Sequence, residues 1–180
     1  MDATVLQAMS KWPNVPACHG WLGLDSRGQW YMRDVVAQSR GAFPKSKGER
    51  LEHSGLIQFI NRNYGSDEKG CWYFQNGPQR VYVELEATPF IWRITDDFSV
   101  TSQTGQVGNP VECFLDQEGK VYLNTDIGFG LVHTLDVVQV ASALDNGTWM
   151  VKQLQASKLE SQFGFVRSPQ KVARQQQASR

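Results

Sequence analysis

Cys18-His19 sets a thiol beside an imidazole, the residue types of nucleophilic catalysis. A nucleophile needs its base within hydrogen-bond reach, whereas neighbours on a strand point to opposite faces. The pair therefore predicts Cys18 as a small buried hydrophobe and His19 at the surface. His53 and His133 each stand in a Leu-x-His-Ser/Thr spelling. Facing one cleft, their imidazoles would serve as acid–base groups or a pH sensor; set singly before a helix, each would bond local backbone. The local role is the expected one. A metal site wants three ligands, and no Cys-x-x-Cys or suitably spaced carboxylate joins the histidines, so no metal and no cofactor is expected. "DIGFG", Asp126 to Gly130, lacks the further glycines and Lys of a phosphate loop and predicts a turn. Glu84 and Glu86, with Asp96 and Asp97 beyond them, lack the deep setting of a hydrolase pair and predict a solvated sheet face.

Tyr73, Tyr82 and Trp92, with Arg80 or Arg93, spell an exposed aromatic and basic sheet face. Single-stranded nucleic acid binds such faces, but the flanking glutamates oppose it. A protein partner or small ligand suits the same residues better, since Tyr, Trp and Arg concentrate at binding hot spots. The hypothetical binding set is thus His53, His133, Tyr82, Trp92, Arg80 and Arg93.

The elements that position these residues follow from pattern. The 180-residue chain, 41% hydrophobic and 20% charged, has ordinary globular composition. Its eighteen basic and eighteen acidic residues cancel. The tail from Arg167 holds four of the basic residues and no acid, which leaves the body near −4 and unfavourable to phosphate backbones. Three well-separated cysteines and an N-terminus without a basic start and apolar run predict a soluble cytoplasmic protein with free thiols. Val5, Leu6, Met9 and Trp12 predict a first helix stopped by Pro13. Leu56, Ile57, Ile60 and Tyr64 predict a second, ending at Gly65. Asn76-Gly77 marks a hairpin between "GCWYF" and "RVYVELE". "VVQVASAL" predicts a helix capped by Asp136, and "TWMVKQL" a last strand.

"LDSRGQWYMRD" and "LDQEGKVYLNTD" share Leu-Asp-x-x-Gly-x-x-Tyr. Each is followed by Leu-x-His-Ser/Thr, a helix and a Gly-x-Trp strand, which predicts a duplicated hairpin–helix–strand unit. The expected organisation is an N-terminal helix over 1–17, a first repeat over 18–105, a second over 106–166 and a disordered basic tail over 167–180.

"DSRGQWYMRD", "EKGCWYF" and above all "VYVELEATPF" resemble DUF1285, a bacterial domain family without assigned activity. The likeness spans roughly residues 18 to 130. Val83-Glu84-Leu85-Glu86-Ala87-Thr88-Pro89-Phe90 fits the family's Val-Glu-Val-Glu-Asp-x-Pro-Phe stretch, with Ala87 where the family's Asp would stand. Asn124 to Gly128 meets a later Thr-Asn-Val-Gly-Asp segment only loosely. The resemblance implies an α+β fold and transfers no catalytic residue.

These readings converge on an α+β fold with mostly antiparallel sheet. The expected role is a bacterial, cytoplasmic, non-catalytic module that binds a small ligand or protein partner at the junction of the repeats. The alternatives are a small cofactor-independent enzyme with His53 or His133 as base, and a structural assembly subunit.

Overall fold

A computed structural model describes residues 1–179. The chain divides into two compact units, and the boundaries fall at Glu86/Ala87 and Phe165/Val166 rather than after residue 105.

The first unit holds Met1–Asp25, Gln29–Glu86 and the chain from Val166 onward. It contains helix α1 (Ala3–Lys11), strands β1 (Cys18–Leu24) and β2 (Trp30–Met32), helix α2 (Val35–Arg40) and strand β3 (Glu49–Arg50). Helix α3 (Ser54–Arg62) and strands β4 (Tyr64–Ser66), β5 (Trp72–Asn76) and β6 (Gln79–Leu85) follow. The sheet order is β3-β2-β1-β6-β5-β4, antiparallel throughout except where β1 runs parallel to β6. Helix α1 forms where expected, but only Val5 of its apolar residues is buried; Leu6 and Trp12 are half exposed. Helix α3 stops at Asn63, short of Gly65, because Tyr64 and Gly65 pair with Phe74 and Tyr73 as strand.

The tail expected to be disordered carries a C-terminal helix, Pro169–Ala178, packed on β1 and β6. Ser168 caps it by accepting the Lys171 N–H, and Pro169 occupies a first-turn position where no N–H is needed. Its anchor is Glu84, which takes the Ser168 hydroxyl at 2.5 Å and the Gln170 N–H at 2.9 Å. Glu84 is therefore buried rather than solvated. Burial raises its pKa, while those two hydrogen bonds and the Arg33 and Arg174 charges pull the other way.

The second unit holds Ser26–Gly28 and Ala87–Phe165. Its strands are β7 (Phe90–Ile94), β8 (Val100–Ser102), β9 (Val107–Gly108), β10 (Pro110–Asp116), β11 (Val121–Thr125), β12 (Gly128–Val132) and β13 (Val151–Leu154). Helix α4 (Val137–Asp145) precedes β13, and α5 (Leu159–Phe163) follows it. The order is β13-β10-β11-β12-β7-β8-β9, with parallel pairs at β10–β13 and β12–β7. "DIGFG" is mostly strand: Gly128 and Gly130 lie in β12. A Cβ on Gly130 would stand 2.4 Å from the Trp92 indole nitrogen and 2.5 Å from the Phe90 carbonyl oxygen, so the sequence needs Gly there for close approach.

The Asp-x-x-Gly spelling is a hairpin closure. Asp25, Asp67 and Asp116 each accept the N–H four residues on, from Gln29, Cys71 and Lys120, at 2.9, 3.0 and 2.9 Å. Ser102 does the same for Gln106 at 3.3 Å. The glycine of each turn, Gly28, Gly70, Gly119 and Gly105, has φ between 76 and 83°, where a side chain is disfavoured. Since the turn recurs in both units and more than twice, it does not by itself mark a duplication. Gly70 and Gly147 also differ: Gly70 lies in such a turn before a strand antiparallel to β6, whereas Gly147 follows α4 ahead of a strand parallel to β10. The fold is α+β with two mixed sheets. No helix among the described residues is long and apolar enough to cross a membrane.

Candidate functional site

Pro13 and Pro16 prevent α1 from continuing, so the chain turns off its last helical residues towards β1. Across from that segment, the Asn76–Gly77 turn folds β5 onto β6 and sets Tyr73 opposite Tyr82 and Gln75 opposite Arg80. Residues two apart on a strand share a face, so these four side chains form one patch. Met9, Trp12, Val15, Gln75, Arg80 and Tyr82 contribute to a cleft of about 470 Å³, within the size range of small-ligand sites.

Three features give the cleft its chemistry. Trp12 is half exposed, an apolar plane that helix packing leaves uncovered. The Arg80 guanidinium lies 4.6 Å from the Tyr73 ring centroid and hydrogen-bonds Tyr82. No carboxylate among the described residues forms an ion pair with it: Asp67, the acid that acts on it electrostatically, accepts the Tyr82 hydroxyl at 2.9 Å and turn N–H groups. Gln75 is fully buried, and its side-chain oxygen has no hydrogen-bond partner. Its amide nitrogen donates to the Gly77 carbonyl at 2.9 Å, which fixes which end of the amide is the unsatisfied one. A buried acceptor left in that state costs about 1–3 kcal/mol.

Burial, then the Asp67 carboxylate, pushes the Tyr82 phenol above its ordinary value. His19 is half-buried: it stacks on Tyr82 with centroids 4.6 Å apart, and burial lowers its pKa. Both groups are therefore held neutral near pH 7. Cys18 is half-buried, and burial pushes the Cys71 and Cys113 thiols up to about 11, away from the thiolate form a nucleophile needs.

Of the residues marked by sequence, Arg80 and Tyr82 meet in this cleft. Trp92 does not belong to an exposed platform. It is fully buried in the second unit, donates its indole N–H to the Leu123 carbonyl at 3.1 Å and stacks on Phe90. Arg93 is engaged by Asp136 at 2.6 Å. Asp136 also takes the Ile94 N–H, and makes no side-chain cap to α4. His53 accepts the Leu56 N–H at the start of α3, and His133 accepts the Leu135 N–H before α4, each at 3.1 Å. Both histidines have the local capping role. Sequence reasoning missed Trp12 and Gln75 as site residues. The pattern places Trp12 on the apolar face of the first helix, and no residue pattern announces an unpaired glutamine oxygen.

The fold and cleft define an α+β protein of two mixed sheets with an aromatic, cationic concavity on its first unit. Residues 1–170 match the model of family DUF2944, described as "Protein of unknown function (DUF2946)", and the chain belongs to that family. Among solved structures it is similar to a DUF1285 family protein from Silicibacter pomeroyi DSS-3, at 12% identity and a TM-score of 0.49, over 79% of this chain and 84% of that one. It is also similar to a DUF1285 family protein from Shewanella baltica OS155, at 14% identity and a TM-score of 0.45, over 68% of this chain and 91% of that one. Both carry the family name that "VYVELEATPF" suggests. No curated protein matches the sequence.

Proposed function

We propose that this chain is a non-catalytic module that binds a small molecule in the cleft between the end of α1 and the β5–β6 hairpin. The observation that supports the reading is a cleft of about 470 Å³ lined by Arg80, which forms no ion pair among the described residues, and by the half-exposed Trp12. The two residues supply a charge and an aromatic surface to a ligand there.

Native mass spectrometry of gently purified protein tests this. The expected result is an added mass that leaves on denaturation and is lost from Arg80→Met, whose stem still covers Tyr73. An added mass kept equally by Arg80→Met would place the ligand elsewhere, and a bare chain mass would contradict the reading.

A further inference from the structure

We propose that the C-terminal helix is a detachable strap: a latch at Glu84 closes it over β1 and β6, and it lifts as one piece while the sheet beneath stays folded. The segment before the helix is fastened independently. Val166 donates its N–H to the Gly70 carbonyl at 2.9 Å, and the Arg167 carbonyl accepts the Leu85 N–H at 2.8 Å. Those bonds are made by chain outside the helix, so they hold when the helix leaves, and Ser168 is the pivot.

The helix itself is held at one end. Of its residues only Pro169 is buried; Gln170, Val172 and Ala173 are half-buried, and the rest are exposed. A helix built permanently into a core buries an apolar stripe along its length. Here the hydrogen bonds to the rest of the unit, among the described residues, come from the first turn. Ser168 and Gln170 bond Glu84, and the Gln170 side-chain nitrogen donates to the Gln38 oxygen at 3.0 Å. Arg174, further along, adds the pull of its charge on Glu84.

The latch is poised between opposing forces. Burial is the largest influence on Glu84 and works against its charge, while the two hydrogen bonds and the Arg33 and Arg174 charges support it. Lifting the helix breaks the bonds but returns the carboxylate to water, so loss and gain offset each other. A freed helix of 10 residues is marginal in water, so lifting and unwinding go together. Beneath the strap lies Gly20, where a Cβ would stand 2.2 Å from the Gln170 side-chain nitrogen. Lifting therefore uncovers a stretch of β1 and the Glu84 carboxylate, both hidden when the strap is closed.

Native-state hydrogen exchange on the full chain tests this, with the amides of Ala173–Ala178 read separately from those of β1 and β6. In the unaltered chain the helix amides are expected to share one protection factor, about a hundredfold below that of the two strands. Ser168→Ala removes the latch hydroxyl and the N-cap together. It should lower that shared factor about tenfold, equally at every helix amide, and leave β1 and β6 unchanged. Gln38→Ala removes a docking contact from outside the helix and should lower the same amides together by about threefold.

Helix protection equal to that of β1 and β6 would make the helix part of the core and overturn the strap. A fall in Ser168→Ala graded from the first turn, with none in Gln38→Ala, would reveal end fraying and contradict the proposal. Loss of protection in β1 and β6 along with the helix in Ser168→Ala would show that the two open together, which also overturns it.

Discussion

Replacing Arg33 by Ala is expected to destabilise the first unit by about 3–5 kcal/mol, the range for stripping a buried charged network of one member. Arg33 is fully buried, and among the described residues no carboxylate forms an ion pair with it, although the Glu84 charge favours its charged form. It donates instead to three backbone carbonyls, of Ser46 at 3.0 Å, Gly20 at 3.1 Å and Gly41 at 2.6 Å. Those carbonyls come from β1 and from the segment after α2, so one side chain stitches a loop to the sheet. Removal takes the donor from all three acceptors and opens a cavity. Arg33→Met keeps much of the stem and is expected to recover part of the loss but not the hydrogen bonds. Hydrogen exchange read across residues 18–50 of the two variants checks this. Protection in Arg33→Ala equal to that of the unaltered chain would contradict it.

Trp92→Ala is expected to cost the second unit about 3–5 kcal/mol, the range for truncating a buried aromatic. The indole fits a slot made by glycines: a Cβ at Gly130 or Gly108 would lie 2.4 or 3.1 Å from its atoms. Backbone walls of that kind do not collapse into the space a smaller residue leaves. The Leu123 carbonyl would also lose its side-chain donor. Trp92→Phe is expected to retain most of the packing and lose less. Urea unfolding, followed by fluorescence and exchange in β7 and β12, measures both. An exposed binding platform would give the opposite pattern, with an unchanged unfolding midpoint and weakened binding.

Arg33 and Trp92 show why some of the fold was legible in the sequence and some was not. Hairpins closed by Asp-x-x-Gly or Asn-Gly carry their geometry in a few adjacent residues, and they appear where the spelling places them. The copy at Asp67 is less legible because it lies inside the Gly-x-Trp segment, whose counterpart before β13 is a different kind of turn. Alternation along β6 predicted one apolar and one solvated face. Val83, Glu84 and Leu85 are nevertheless all buried, because the C-terminal helix covers the second face. That helix has few apolar residues to announce it. Its local signal is Ser168-Pro169, a cap followed by a helix-opening proline, and its long-range signal is a partner 84 residues away at Glu84. Period alone does not reveal such a partner.

The candidate site divides the same way. Arg80 and Tyr82 share a strand face by alternation, and the Asn76-Gly77 turn predicts that Gln75 comes near them. That Gln75 lacks an acceptor's partner is a property of packing. Trp12 was readable as a helix-face residue, but α1 buries only Val5 and leaves the indole to the cleft. His53 and His133 drew attention as equivalent positions, and equivalence turned out to mean the same capping hydrogen bond.

The most direct test of the binding cleft is a residue-resolved map of where a small aromatic acid sits. In proton–nitrogen correlation spectra with indoleacetate added, the Trp12 indole, the Gln75 side-chain amide and the Arg80 and Tyr82 backbone signals are expected to move together, saturating with one affinity. The His53, His133 and Trp92 signals should stay in place. Saturable shifts centred on those three residues, or no saturable shift at Trp12 and Gln75, would contradict the account.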